Sequence, residues 1–460
     1  MIETRPLIVV QGPVATRSGY GNHTRDLVRS LIAMDKYEIK IISLPWGACP
    51  MNALNDKDPK DIPIIDRFLK TQLTRQADIF IQVSVPNEFC IGPDRKEIRP
   101  GKFNIGITAG VETTIMPAEC IQGCNRMDLI IATSTFTAEV ISKSIFTKMN
   151  NETKQPEGEL KCTTPIKVLF EGADLDIYHK TDKLDTLVVN ELSQIPEDFC
   201  YLVVGHWMKG ALGQDRKDMG MTIKTFCDAF KTTSLKNKPA LVLKGSGAGF
   251  SIIDRNIIQD KISNILDTYG TSAPNVYLLH GDLTDNEMNS LYNHPKIKAM
   301  ISLTKGEGYG RPLAEFSLTG KPILASNWSG QLDFLHAEYC TLLPGQLTDV
   351  HQSAADQFIV KESKWFTVQY QFASKVIKDV YKNYKTYLTK SRKQPQHIKN
   401  NFSMDKMTEV FNNILSEIPV EMANLKLPTL DNTNKLKLPK LKKLGESAGI
   451  KLPKLNKVKL

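Results

Sequence analysis

The sequence is short of the features that mark a membrane protein, a disulfide scaffold or a fibre. Across 460 residues, no apolar run approaches the ~18 residues that a transmembrane helix needs. The first residues, Met1-Ile2-Glu3-Thr4-Arg5-Pro6, run straight into Leu7-Ile8-Val9-Val10. That start has no basic region, long apolar core or small-residue cleavage site, so a signal peptide is not expected. The eight cysteines lie scattered at 49, 90, 120, 124, 162, 200, 227 and 340 with no C-x-x-C pair. Free thiols in a reducing cytosol are expected, not a disulfide frame or a zinc site. His23, His280, His294 and His336 share no ligand spacing, and ordinary surface or core roles are expected of them. At 41% hydrophobic and 24% charged the chain reads as globular, and at about 150 residues per domain it has length for two or three. The location expected is cytoplasmic, free or peripheral to a membrane or a larger complex. One imbalance stands out: 59 Lys+Arg against 50 Asp+Glu gives a net charge of +9. Taken whole, that charge would suit nucleic acid or an anionic surface.

Short apolar runs alternate with helical patterns along most of the chain. Strands are expected at 6–10, 38–44, 78–85, 103–107, 128–133 and 166–170, then at 200–204, 240–244, 275–280, 298–303, 322–325 and 340–343. These runs are rich in Val, Ile and Leu and apolar nearly throughout, as strands of a parallel sheet covered on both faces should be. Helical patterns fall at 22–34, 134–146, 219–231, 254–268, 311–319 and 368–385. The fold class is α/β. Two rounds of β-α-β alternation imply two doubly wound domains facing a cleft, with the break in the polar stretch 180–198. The division is 1–185, 186–385, terminal helices over 386–423, and a tail over 424–460.

The segment richest in chemistry is Thr304-Lys305-Gly306-Glu307-Gly308-Tyr309-Gly310-Arg311-Pro312-Leu313-Ala314-Glu315. It leaves the strand 298–303 and enters a helix, with Pro312 suited to the first turn and Gly320 to the C-terminal cap. A glycine-rich strand-to-helix turn offers free backbone N–H groups and the positive end of a helix dipole to an anion. Glu307 and Glu315 flank that site. Carboxylates cannot ligate phosphate, but they accept hydrogen bonds from hydroxyls such as those of a sugar and a ribose. The same pattern also suits a plain surface loop with an acidic helix start.

Glu307-x(7)-Glu315 within G-E-G-Y-G-R-P-L-A-E resembles the signature of GT-B-fold retaining glycosyltransferases of family four (glycosyl transferases group 1). The stretch Gly320 to Gly330, G-K-P-I-L-A-S-N-W-S-G, is similar as well. So are 17–28, with Gly19 and Gly21, and the blocks 105–117, 124–140 and 166–178. The resemblance covers most of residues 5–416. It implies the GT-B fold, with an acceptor-side first domain, a nucleotide-sugar-binding second domain and terminal helices packing back on the first. It implies that Glu307 contacts donor sugar hydroxyls and Glu315 the ribose. Backbone groups of Gly308, Tyr309 and Gly310 would lie against sugar and diphosphate, and Ser329 and Gly330 against the phosphates. The glycine loop at Gly19 and Gly21 would approach donor and acceptor. The pair Glu112-Thr113 matches one subgroup, where better-known members place a His. Lys217 aligns with the family's phosphate-binding Lys, with Arg216 beside it and Lys209 a further candidate for charge near the diphosphate.

The resemblance therefore implies sugar transfer from a nucleotide diphosphate sugar, with retention, to a hydroxyl of a glycan, lipid or protein. No resident cofactor is expected, the nucleotide sugar being a co-substrate, and no metal. Asp174-Leu175-Asp176 matches a metal-binding D-x-D, but it falls at a strand-end turn and reads as structural. Lys244 to Gly249 lacks the G-K-[ST] close of a P-loop. Glucosylation of a hydroxymethylated DNA base, and a silent GT-B scaffold, are the competing readings.

The charge bears on that choice. Residues 424–460 repeat Leu425-Lys426-Leu427-Pro428, Leu436-Lys437-Leu438-Pro439 and Ile450-Lys451-Leu452-Pro453. Repeated proline with Lys/Leu alternation forbids a long helix, so a flexible tail is expected. It reads equally as three linked docking motifs for a partner or an anionic surface and as a solubilising extension. The tail carries ten lysines against Asp431 and Glu446, so eight of the nine net charges are its own. The body is nearly neutral, which favours sugar transfer over the DNA reading.

Overall fold

A computed structural model describes residues 5–150, 152–234, 238–247 and 249–419. The described residues form one compact unit. The basic tail, and the last residues of 386–423, lie outside the described residues. Among the described residues no helix is long and apolar enough to cross a membrane.

The twelve apolar runs are the strands of two six-stranded sheets. The first contains β1 (Leu7–Gly12), β2 (Glu38–Ser43), β3 (Ala77–Val83), β4 (Gly101–Thr108) and β5 (Leu129–Ala132). An antiparallel hairpin, β6 (Phe146–Met149) and β7 (Pro156–Leu160), precedes its last strand, β8 (Ile166–Val168). The order is β2-β1-β3-β4-β5-β8, parallel at each pairing. The second sheet has β9 (Cys200–Val204), β10 (Ala240–Lys244), β11 (Val276–Leu279), β12 (Ile297–Ser302), β13 (Ile323–Ser326) and β14 (Thr341–Leu343). Its order, β11-β10-β9-β12-β13-β14, is the Rossmann order, which reverses between β9 and β12. A second hairpin, β15 (Gly345–Asp349) and β16 (Lys364–Val368), follows.

Burial explains why apolar runs formed these strands. All seven residues of β3 are buried. In β9, Cys200 and Leu202 enter one core, while Tyr201 and Val203 enter the other. That two-residue alternation covers both faces of the sheet. Each such side chain withdrawn from water stabilises the fold by roughly 1.5–3 kcal/mol.

The stretch read as a polar break holds the helix Thr186–Ser193, started by the Asp185 side chain accepting from Leu187 N–H at 2.8 Å. Its Val188 and Leu192 join the second sheet's core. After the helices Tyr370–Lys382, Tyr384–Ser391 and Gln394–Asn401, the last described helix, Met404–Ser416, returns to the first sheet. Met407, Phe411, Ile414 and Leu415 lie in that sheet's core. Where the chain returns it meets its own earlier crossing: Ala173 N–H donates to Phe402 C=O at 2.8 Å, and Met404 N–H to Ala173 C=O at 2.9 Å. Gly172 permits this approach, since a Cβ there would lie 2.8 Å from Met404 Cα.

Candidate active site

Ligands of doubly wound sheets bind beyond the carboxyl ends of the strands where the order reverses. In the second sheet that point lies between β9 and β12, and the loops leaving these strands carry Arg216, Lys217 and Glu307. Their backbones are joined: Lys305 N–H donates to Arg216 C=O at 2.8 Å. The Lys217 ammonium donates to Glu307 Oε1 at 2.5 Å. Arg216 Nη1 lies 3.4 Å from Glu307 Oε2 and 3.2 Å from Glu112 Oε1, and donates to Gly306 C=O at 2.9 Å. Two cations and two carboxylates thus meet at one spot, with Glu112 reaching across from the first domain.

Burial alone would raise the Glu307 carboxyl, but the charges of Lys217 and Arg216 outweigh it and hold the group below its ordinary value. Burial lowers Lys217 from its usual range, with Glu307 opposing. Glu307 is therefore a firmly ionised carboxylate in a mostly buried setting, able to accept strong hydrogen bonds. Its backbone is fixed by the loop after β13. Glu307 N–H donates to Ser329 Oγ at 2.9 Å, and Gly330 N–H to Glu307 C=O at 3.0 Å.

The glycines of the motif are close-packing positions. A Cβ on Gly306 would lie 2.1 Å from Glu112 O, one on Gly308 2.4 Å from Ala109 O, and one on Gly330 2.1 Å from Gly308 O. The Gly308 carbonyl accepts from Thr133 Oγ1 at 3.4 Å and Thr137 Oγ1 at 3.5 Å, both in the first domain. Gly310 has φ +99° and opens the helix Arg311–Ser317. The Tyr309 ring packs into the core against Phe334.

A second charged cluster spans the domains at Arg311. Its Nη1 pairs with Asp26 at 2.6 Å and Glu171 at 3.6 Å from the first domain, and its Nε with Glu315 at 3.0 Å. Glu315 also accepts from Tyr292 OH at 3.1 Å. Burial pushes Glu315 and Glu171 up to about 7 against the pull of Arg311. His23 is buried beside this cluster, and burial with the Arg311 charge takes it down to about 3. Among the described residues neither His23 ring nitrogen nor the Tyr309 hydroxyl has a hydrogen-bond partner.

The structure thus brings Glu112, Arg216, Lys217, Glu307, Ser329 and Gly330 together and places Glu315 in the neighbouring Arg311 cluster. Gly19 and Gly21 lie in the first turn of the helix Gly19–Met34, which follows β1. Gly21 is required by its own turn, a Cβ there falling 2.3 Å from Thr16 O, while Gly19 faces open space. Lys209 donates to Ala355 C=O at 3.3 Å. Asp174 and Asp176 face Lys60 at 3.8 and 3.6 Å. Among the described residues no group of three or more His, Cys, Asp or Glu is placed to hold a metal ion. Sequence reasoning missed Asp26, Glu171 and the pairing of Arg311. The signals were that Arg311 stood inside the Glu307 motif and that Asp26 and Glu171 lay in the similar blocks 17–28 and 166–178.

Two doubly wound parallel sheets whose carboxyl-end loops face each other across a cleft make up the GT-B architecture. No protein-family model and no curated protein sequence matches the chain. Solved structures match it in fold. HepE of Anabaena in complex with UDP and glucose is 13% identical with a TM-score of 0.56, over 90% of this chain and 100% of that one. A glycosyltransferase from Rickettsia africae is 12% identical (TM-score 0.55, 90% and 98% covered). Sucrose-phosphate synthase from Thermosynechococcus elongatus is 11% identical (TM-score 0.56, 90% and 99% covered). Identities this low establish a shared fold.

Proposed function

We propose that the chain is a retaining glycosyltransferase that moves a hexose from a nucleotide diphosphate sugar to a hydroxyl acceptor. The observation that carries this reading is the Glu307 carboxylate held between Lys217 and Arg216 at the reversal point of a Rossmann-ordered sheet. The HepE complex with UDP and glucose supports a uridine diphosphate hexose as the donor class. The two cations suit a diphosphate, and the start of the helix Met219–Phe230 lies directly after them. As the phosphates take Lys217 and Arg216, Glu307 is left to accept hydrogen bonds from the sugar hydroxyls.

In the reaction the bond between the anomeric carbon and the phosphate oxygen breaks as negative charge gathers on the diphosphate. Lys217 and Arg216 stabilise that charge. The acceptor oxygen bonds to the anomeric carbon on the same face, and its proton passes to the departing phosphate oxygen. Closure of the two domains supplies orientation. Glu315 serves the ribose by exchanging its Arg311 contact for hydroxyls, and the Lys217–Arg216 pair supplies the positive charge without a metal.

The test is turnover of a panel of nucleotide sugars in the presence of EDTA, with and without glycan, lipid, protein and hydroxymethylated DNA acceptors. Wild type should hydrolyse or transfer from one donor, and Glu307→Ala should abolish this while melting as a folded protein. An undiminished rate in that variant sinks the assignment. Turnover restricted to hydroxymethylated DNA would move the acceptor from a glycan, lipid or protein to a modified base.

A further inference from the structure

Both loops that form the proposed donor site are held from behind by one buried ion pair. Lys305 stands two residues before Glu307, and Asp218 directly after Lys217. Their side chains are 1% and 0% exposed, with Lys305 Nζ 3.4 Å from Asp218 Oδ2. The ammonium donates to Thr367 Oγ1 at 3.0 Å and Tyr370 OH at 3.3 Å. It lies 5.7 Å from the Trp365 ring centre and 5.9 Å from that of Tyr370. Tyr370 OH closes the triangle, donating to Asp218 Oδ2 at 2.7 Å. Asp218 is held at φ +52°, in the left-handed region. The Lys305 backbone also bonds on both sides, donating to Arg216 C=O at 2.8 Å and accepting from Phe366 N–H at 3.0 Å.

Stability alone does not account for such a pair. The desolvation of two buried ions generally cancels their attraction, and apolar residues of similar volume replace such pairs at no loss or with a gain. Fixing one register among alternatives is the better-attested use of buried charge. The register at stake here is plain. Each ion lies one or two residues from a group that must face the donor, Lys217 its phosphates and Glu307 its sugar, and these two meet each other at 2.5 Å. We infer that Lys305 and Asp218 are a positioning pair that sets Lys217 against Glu307, acting through the backbone of the two loops and not on the substrate. This rests on the reading of Lys217 and Glu307 as donor-site residues.

The full-length chain is the material for the test. Lys305→Met alone strands the Asp218 charge and is expected to destabilise the protein, so the deciding variant is Lys305→Met with Asp218→Asn. Its melting temperature should stay near that of wild type, while its donor KM rises because Lys217 is displaced from the donor phosphates. Its kcat should fall roughly 10–100-fold, the loss that a misplacement of about 1 Å produces. A crystal structure of the variant should show the Lys217–Glu307 contact broken. A stable variant with full kcat and an intact contact overturns the inference. So does a double variant that fails to fold, since the pair would then be holding the fold itself. If wild type turns over no nucleotide sugar, it is the proposed function that fails, and the crystal structure alone decides the positioning role.

Discussion

Two substitutions at Ser329, differing by one methyl group, separate the strain this residue carries from the hydrogen bond it makes. Its backbone has φ +75° and ψ −162°, a region open essentially to glycine, where another residue costs ~1–3 kcal/mol. Its hydroxyl accepts from Glu307 N–H at 2.9 Å and donates to Gln331 Oε1 at 2.9 Å. Ser329→Ala keeps the strain and leaves the buried Glu307 N–H without its acceptor, a loss of ~1–3 kcal/mol. Ser329→Gly suffers the same loss but releases the strain, less the ~0.5–1 kcal/mol that glycine concedes through chain entropy. The glycine variant should therefore be the more stable by about 0.5–2 kcal/mol, the reverse of the usual order of these residues in regular structure. In domains of 150–250 residues ~1 kcal/mol moves the midpoint by about 2–4 °C, so thermal melts of the two variants resolve it. Transfer should fall alike in both, because both lose the tether on Glu307. An alanine variant melting at or above the glycine variant would refute the reasoning.

Three further outcomes follow from the site. The carboxyls of Glu171 and Glu315 are raised to about 7 in the folded chain from about 4.3 when unfolded. Between those values the folded chain holds protons that the unfolded chain has lost. Their contribution to stability is thus full below about 4.3 and is lost as pH rises through 7. Glu171→Gln should raise the melting temperature at pH 8 and leave it nearly unchanged at pH 5; an equal effect at both pH values counts against this. Arg311→Met strands the buried Asp26 charge and should cost ~3–5 kcal/mol, while Glu171 and Glu315, freed from the pull of Arg311, take up protons; small-angle scattering should show a larger radius as the domains part. Gly308→Ala drives a methyl group to 2.4 Å from Ala109 O and should lower both melting temperature and turnover, whereas Gly19→Ala, which meets nothing within 4 Å, should melt as wild type.

The strands were legible because a parallel sheet buried on both faces demands unbroken apolar runs, and β9 and β10 fall on the expected residues 200–204 and 240–244. The two hairpins were not legible. In the first, three of the four residues of β6 and four of the five of β7 are exposed, and in the second β15 has no buried residue, so only β16, with Trp365, Phe366 and Val368 buried, carries an apolar signal. Glu307 and Lys217 could be named from spacing and resemblance, since a glycine-rich turn leaves a readable local pattern. The Arg216–Glu112 pairing could not, because it joins residues of different domains. Lys305 and Arg311 were passed over for a related reason. A lone Lys or Arg belongs by default to the surface, and only the packed structure shows Lys305 enclosed by Trp365, Thr367, Tyr370 and Asp218.

The meeting of Ala173 with Phe402 and Met404 has a mechanical meaning. The backbone passes between the domains twice, and the two passes are laced together by hydrogen bonds at Gly172–Ala173. Separating the two passes would break both hydrogen bonds, so the two sheets are tied to each other at this point by more than the continuity of the chain.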